Sequence, residues 1–276
     1  MCGRYAATKD PATIAREFEA LDEVSDSAEA APGPSYNVAP TRPVTTVVRR
    51  HPRAEDGTVL TTEAASRRVR GMVWGLVPSW AKDPSIGQRM INARAETAAS
   101  KPAFRKAVAR RRCLVPADGW FEWQRGSADG RRPSKQPYYM TAGDGTSLAF
   151  AGIWETWRDP ELPSTASPTV TCSVLTTDAV GALADIHHRM PLLMPPHLWD
   201  EWLDPDSGDV ADLLAPPAAG LVERLEIRPV SERVGNVRNN GPELIERIDV
   251  DGAQQQAQQQ AQQQVPLFDT GGTGMP

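Results

Sequence analysis

Apolar positions in this chain recur mostly in short runs, with few long helical stripes. Val44–Val48, Val69–Trp74, Cys113–Val115, Trp120–Trp123, Tyr138–Met140, Leu148–Trp154 and Val170–Leu175 are apolar or β-branched segments of strand length. Three segments instead carry helical spacing. Asp10 can cap a helix that has Pro11 at its first position, and Ile14, Phe18 and Leu21 follow at spacings of four and three, which predicts a helix over 11–22. Phe104/Val108 and Leu198/Trp202, each four residues apart, predict helices over 100–109 and 196–203. Strands outnumber helices and do not alternate with them regularly, so the expected class is α+β. Residues 24–35 are small, polar and proline-rich and read as a surface loop. From Asp251 the chain becomes AQQQAQQQAQQQ followed by VPLFDTGGTGMP, too poor in core-forming residues to pack, so a flexible tail is expected. The expected organisation is one domain over 1–248 and a Gln/Ala-rich tail over 249–276.

Composition narrows the class further. The chain has 276 residues, enough for one large or two small domains, and no apolar run of about 18 residues that would span a membrane. Its start, Met1-Cys2-Gly3-Arg4-Tyr5, lacks a basic segment followed by an apolar stretch, so no secretion signal is read there. Cys2, Cys113 and Cys172 are too few and too scattered for a disulfide framework. With four histidines and no Cys-x-x-Cys, no metal and no cofactor are expected. The net charge of −5 suggests a poor partner for nucleic acid, but it is an average over unlike segments. Residues 42–112 hold 16 basic and 5 acidic side chains, a local excess of +11 that can build a positive face.

Three places can carry chemistry. Removal of Met1 would leave Cys2 at the terminus as a 1,2-aminothiol, with an amine pKa of about 8 and a thiol pKa of about 8.5. Such a pair condenses with an aldehyde to a Schiff base and closes to a thiazolidine. It can also serve as an amidase nucleophile with its own amine as base. Glu122, inside Trp120-Phe121-Glu122-Trp123, is a carboxylate among aromatics, where desolvation raises its pKa toward the range useful for proton transfer. A solvent-facing glutamate on an alternating strand is the plain alternative. Asp185-Ile186-His187-His188-Arg189 supplies imidazole beside arginine. Adjacent histidines point apart on an extended segment, so one of the two at most is expected to face a site.

Together the runs MCGRYA, YNVAPT, WGLVPSWA, INARAET, RRCLVPADGWFEWQ, TTDAVGALADIHHRMP and PVSERVGNVRNNGPEL resemble the SOS response-associated peptidase (SRAP) family, in family order from residue 1 to about 245. The resemblance implies a DNA damage response protein that crosslinks itself to abasic sites in single-stranded DNA. It implies an α+β fold around a curved, barrel-like sheet with flanking helices. By the same resemblance Cys2 is the nucleophile, Glu122 the acid–base residue, His187 a proton-transfer residue beside the sugar, and Asn92 an orienting amide. Asn37 is a second polar contact, Arg4, Arg94, Arg189 and Thr176 hold phosphates, and Trp74 and Pro40 disrupt stacking near the lesion. Peptidase activity is then self-processing that exposes Cys2, and the protein acts as a monomer in the cytoplasm, at the nucleoid.

Gln264-Val265-Pro266-Leu267-Phe268 has the Q-x-x-L-F form of peptides that bind the bacterial sliding clamp, with Gln264, Leu267 and Phe268 as the contacts. Two other functions stay open on the residues alone. A Cys-Gly start also suits an N-terminal-nucleophile amidohydrolase of the glutamine amidotransferase type, and a non-catalytic single-strand binder would leave Cys2 dispensable.

Overall fold

Each of the seven apolar runs lies within a longer strand. A computed structural model describes residues 2–25, 33–125, 135–163 and 165–249. The expected flexible tail, with Gln264, Leu267 and Phe268, lies outside them from residue 250 on. The strands are β1 (Tyr5–Ala7), β2 (Leu21–Asp22), β3 (Ser35–Val38), β4 (Pro43–Arg50), β5 (Ser66–Trp74), β6 (Asn92–Arg94) and β7 (Arg112–Ala117). They continue as β8 (Gly119–Arg125), β9 (Lys135–Ala142), β10 (Leu148–Trp157), β11 (Thr169–Asp178), β12 (Arg189–Pro191) and β13 (Leu225–Pro229). The α-helices are short: α1 (Pro11–Glu17), α2 (Ala95–Ala98), α3 (Arg105–Arg110), α4 (Trp199–Leu203) and α5 (Ala219–Val222). The class is α+β, as expected.

Two sheets carry the fold. The smaller runs β13-β9-β8-β1-β3 and is antiparallel throughout. The larger runs β12-β11-β10-β7-β4-β5-β2, with β6 added in parallel on β11. It curls until β5 meets β11 through Thr171↔Val73 and Cys172↔Trp74. The sheet is curved, as expected, but it is a curled sheet and not a barrel. β4 and β7 share the single partner pair Val47↔Leu114. β5 ends where Gly75, at φ +132°, turns the chain away. Regular closure needs a continuous register around the ring, and these contacts are too brief to supply it.

The core explains the sequence pattern. Tyr5, Val38, Trp120 and Met140 from the smaller sheet pack between the sheets on Val44, Val48, Met72, Trp74, Val115 and Phe150 from the larger. On the opposite face of the larger sheet, Val47, Val69, Leu114, Ile153 and Leu175 pack under Ile14, Phe18, Trp199 and Trp202. β7 is therefore buried at every position, which is why it reads as a continuous apolar run. Phe121 and Tyr139, on the outer face of the smaller sheet, are covered by Val230, Val234 and Leu244. Each such fully buried large side chain contributes about 1.5–3 kcal/mol.

The helix expected over 11–22 is capped as read, with Asp10 accepting from the Thr13 backbone N–H at 2.9 Å. It ends at Glu17, however. Glu19 takes φ +49°, a left-handed turn, and Leu21–Asp22 leave to pair with Arg68 and Val69. The helix expected over 100–109 begins only at Arg105, beyond Pro102, whose ring cannot donate a backbone hydrogen bond. The third keeps its position, as a single 3-10 turn at Pro196–Leu198 that runs into α4. No helix among the described residues is long and apolar enough to cross a membrane.

Candidate active site

Backbone pairing delivers the N-terminus to Glu122. β1 joins β8 through Tyr5↔Trp120 and Ala6↔Gly119, and the Phe121 N–H donates to the Arg4 carbonyl at 3.0 Å. The chain before Arg4 therefore runs antiparallel beside Phe121–Trp123, which brings Cys2 to Glu122. On its other edge β8 packs closely on β9 at Gly119, where a Cβ would lie 2.3 Å from the Met140 carbonyl oxygen. Cys2 is wholly buried and Glu122 is 3% exposed. Burial pushes the Glu122 carboxyl from its ordinary 4.5 up to about 7. Burial, reinforced by the charge of Glu122, raises the Cys2 thiol well above its usual value. Asn92 arrives from the other sheet, where β6 pairs with β11 through Val174↔Asn92. Its Nδ2 donates to the Cys2 carbonyl oxygen at 2.7 Å.

His187 is brought to the same face by Gln124. Glu122 and Gln124 are two residues apart on β8 and share a face. Gln124 Nε2 donates to the Asp185 carbonyl at 3.0 Å, so the 185–188 segment lies over that face. The Arg189 backbone N–H in turn donates to His187 Nδ1 at 3.0 Å. The expectation that the two histidines point apart does not hold, for their ring centroids are 4.4 Å apart. The segment is not extended here. It continues the 3-10 turn of Gly181–Asp185, with the His187 N–H on the Leu183 carbonyl at 3.0 Å.

The family model described as SOS response associated peptidase (SRAP) matches residues 1–237. The chain belongs to this family. It is 36% identical over 249 residues to abasic site processing protein YoqW of Bacillus subtilis, covering 89% of this chain and 99% of that one. To abasic site processing protein HMCES of Gallus gallus it is 30% identical over 282 residues, covering 91% and 79%. Among solved structures, a protein from Bacteroides thetaiotaomicron superposes with a TM-score of 0.71 at 24% identity, over 90% of this chain and all of that one. That likeness concerns the fold.

The remaining SRAP-like positions divide into outward and inward groups. Arg94 is exposed, one strand position beyond Ala93 from Asn92. Arg189 and Thr176, expected at phosphates, are buried, with only 6% and 2% exposed. The Arg189 guanidinium spans Glu96 (2.8 and 2.9 Å), Asp178 (2.6 Å) and the Thr176 carbonyl. One cation shared between two carboxylates leaves no net positive charge for an added anion.

Arg4 donates to Asn37 Oδ1 at 2.8 Å and to the Val234 and Gly235 carbonyls. Buried Asn37 donates to the Val234, Asn236 and Asn239 carbonyls. Together they pin the 234–239 loop. With half-buried Pro40 they line a cavity of about 700 Å³ that also receives Lys9 and Arg42.

Trp74, expected to disturb base stacking, lies in the core at 1% exposure. Its indole N–H is spent on the Ile91 carbonyl at 2.8 Å, and Tyr5 packs edge-on at 5.3 Å. Among the described residues the exposed aromatic is Trp80, at 62%. Its loop is anchored from beneath by Trp157, whose indole donates to the Ala81 carbonyl at 2.7 Å. The signal that could have found it is local. Trp80 follows Pro78-Ser79 in a turn, and Lys82-Asp83-Pro84 after it continue neither a strand nor a helix pattern. Among the described residues, no group of three or more His, Cys, Asp or Glu stands together as a metal cage.

Proposed function

We propose that this protein processes abasic sites in single-stranded DNA by capturing them covalently through Cys2. The observation that carries the reading is a buried glutamate, its carboxyl pushed up to about 7 by burial, beside a cysteine that removal of Met1 would turn into a 1,2-aminothiol. The names of its relatives as abasic site processing proteins support the same lesion. A general acid–base residue works best when its pKa lies near the operating pH.

The chemistry follows from that pair. The Cys2 amine adds to the C1′ aldehyde of the opened sugar, and protonated Glu122 gives its proton to the departing hydroxyl, which leaves as water. The resulting iminium carbon is attacked by the Cys2 sulfur, whose proton passes to the Glu122 carboxylate. A C–S bond forms and the C=N bond becomes single, giving a thiazolidine. Ring closure removes the iminium that β-elimination requires, so the strand stays intact. Asn92, by fixing the Cys2 carbonyl, orients amine and thiol, and His187 supplies a second proton-transfer group from the facing segment. Arg94 and Trp80 stand outward to meet phosphate and base. Peptidase activity in this reading is limited to exposing Cys2, and the protein works as a cytoplasmic, nucleoid-associated monomer.

The test is incubation with single-stranded DNA carrying one abasic site, followed by a denaturing gel. A heat-stable adduct that requires the abasic site and disappears in Cys2→Ala is expected. Reversible binding alone, or glutamine hydrolysis without an adduct, overturns the proposal. The reading extends to a tail, outside the described residues, that tethers the protein to the sliding clamp through Gln264, Leu267 and Phe268 and raises its local concentration. Equal capture of wild type and Leu267→Ala/Phe268→Ala by the clamp removes that extension.

A further inference from the structure

The +11 segment does not spread evenly over the surface. Arg67 pairs with Asp200 and Arg111 with Glu155, while Arg112 is buried against five backbone carbonyls. Three others converge on one carboxylate. Glu23 accepts from Arg68 through Oε1, and from Arg70 at 2.6 Å and Arg50 at 2.8 Å through Oε2. Its backbone N–H on the Val69 carbonyl sets it against β5. The balance is opposite to that at Arg189. Here three cations share one anion, and about fifteen guanidinium N–H groups meet two carboxylate oxygens. The Arg50 and Arg70 side chains are 37% and 36% exposed, so the surplus charge of two faces solvent.

The strand register fixes where this charge lies. Trp74 and Met72 occupy one face of β5 and pack into the core that contains Cys2. Arg70 and Arg68 continue that face outward by alternation. On β4, Val48↔Arg68 and Arg50↔Ser66 put Arg50 on the same face, two residues beyond core residue Val48. At about 3.3 Å per residue, Arg70 and Arg68 stand roughly 13 and 20 Å along the strand from Trp74. Among the described residues no aromatic or amide side chain takes part in the cluster, and Arg50 and Arg70 are open to solvent. Such a surface suits a chain of phosphates, whose contacts add, better than one phosphate ion, which needs enclosure.

We infer that Arg50, Arg68 and Arg70, gathered by Glu23, form a second contact for the nucleic-acid backbone, remote from Cys2, that holds the strand flanking the lesion. The inference rests on the proposed DNA function and adds a strand-length dependence to it. Its two outward arginines contribute to affinity without reading sequence.

The experiment uses the full chain and undamaged single-stranded DNA, in a short form that covers only the reactive site and a long form that reaches the patch. Binding is followed by fluorescence anisotropy across a salt series. For Arg50→Gln/Arg70→Gln, affinity for the long strand should fall about tenfold or more, and its log–log salt slope should lessen by about 1.4. Affinity for the short strand and the yield of abasic adduct on it should not change. Arg50→Lys/Arg70→Lys should restore the slope, which a purely structural role of the arginines would not allow. An unchanged slope in the Gln variant overturns the inference, as does equal loss on short and long strands. Inorganic phosphate or polyglutamate competing as well as long DNA overturns it too. The two proposals fail separately: absence of abasic adduct in wild type removes the function, and length-independent binding removes the patch.

Discussion

Asn92 Nδ2 donates to the carbonyl oxygen of Cys2 across 2.7 Å, and this bond crosses from one sheet to the other. The larger sheet thereby sets the position of a residue that enters on the smaller one. Asn92→Ala should slow adduct formation by about 10- to 100-fold, since small displacements of reacting groups are costly to rate. Stability should fall by only about 1 kcal/mol, the worth of one hydrogen bond. Single-turnover gel kinetics beside a thermal melt separate the two effects, and a loss of rate that merely tracked unfolding would contradict the positioning role.

Glu122 makes stability and rate depend on pH in predictable directions. Its carboxyl is raised by burial from 4.5 to about 7, so between those values the native state holds a proton that the unfolded chain has released. Its favourable contribution is present below about pH 4.5 and is lost as pH rises through 7. The difference is about 3 kcal/mol at most. Glu122→Gln should therefore melt higher than wild type at pH 8, with the gap closing toward pH 5. The same substitution should abolish any inflection near pH 7 in the rate of adduct formation or reversal.

The strands of the core were legible in the sequence because burial leaves runs rich in apolar or β-branched residues, as in Cys113–Val115 and Val69–Trp74. β1, β3, β6, β12 and β13 were not, since at three to five residues they depend on their partners more than on their own pattern. Cys2 and Glu122 stood out by chemistry, one by its place in the chain and the other by its aromatic neighbours. That they adjoin was not readable, because it follows from the Tyr5↔Trp120 register between distant segments. Arginines were the least legible. Arg94, Arg189 and Arg50 look alike in sequence, yet they end exposed, enclosed by two acids, and crowded on one acid.

Arg94 and Arg189 should accordingly separate in experiment. Arg94→Ala removes an exposed cation, so single-strand affinity should weaken for all sequences and the salt slope should drop by about 0.7, with stability unchanged within about 0.5 kcal/mol. Arg189→Ala leaves Glu96 and Asp178 facing each other without their shared cation and loosens the segment that holds His187. It should destabilise the fold by about 1–3 kcal/mol and slow the adduct step, with a smaller change in salt slope than Arg94→Ala. Salt-series binding and thermal melts on the two variants check the contrast.

Trp74 and Trp80 provide the sharpest comparison, because they sit six residues apart with opposite exposures of 1% and 62%. Trp74→Ala would empty a packed site between Tyr5 and the Ile91 carbonyl, and about 3–5 kcal/mol of stability should be lost. Trp80→Ala removes no core contact, and its loop remains anchored by Trp157 to Ala81, so the melting temperature should barely move. If Trp80 offers its face to a DNA base, affinity for single strands should fall by about 1–3 kcal/mol, the worth of one stacked base. Fluorescence quenching by single-stranded DNA should fall in the Trp80→Phe variant while its adduct chemistry persists on saturating substrate. Loss of DNA binding from Trp74→Phe with Trp80→Ala unaffected would reverse the assignment of the two tryptophans.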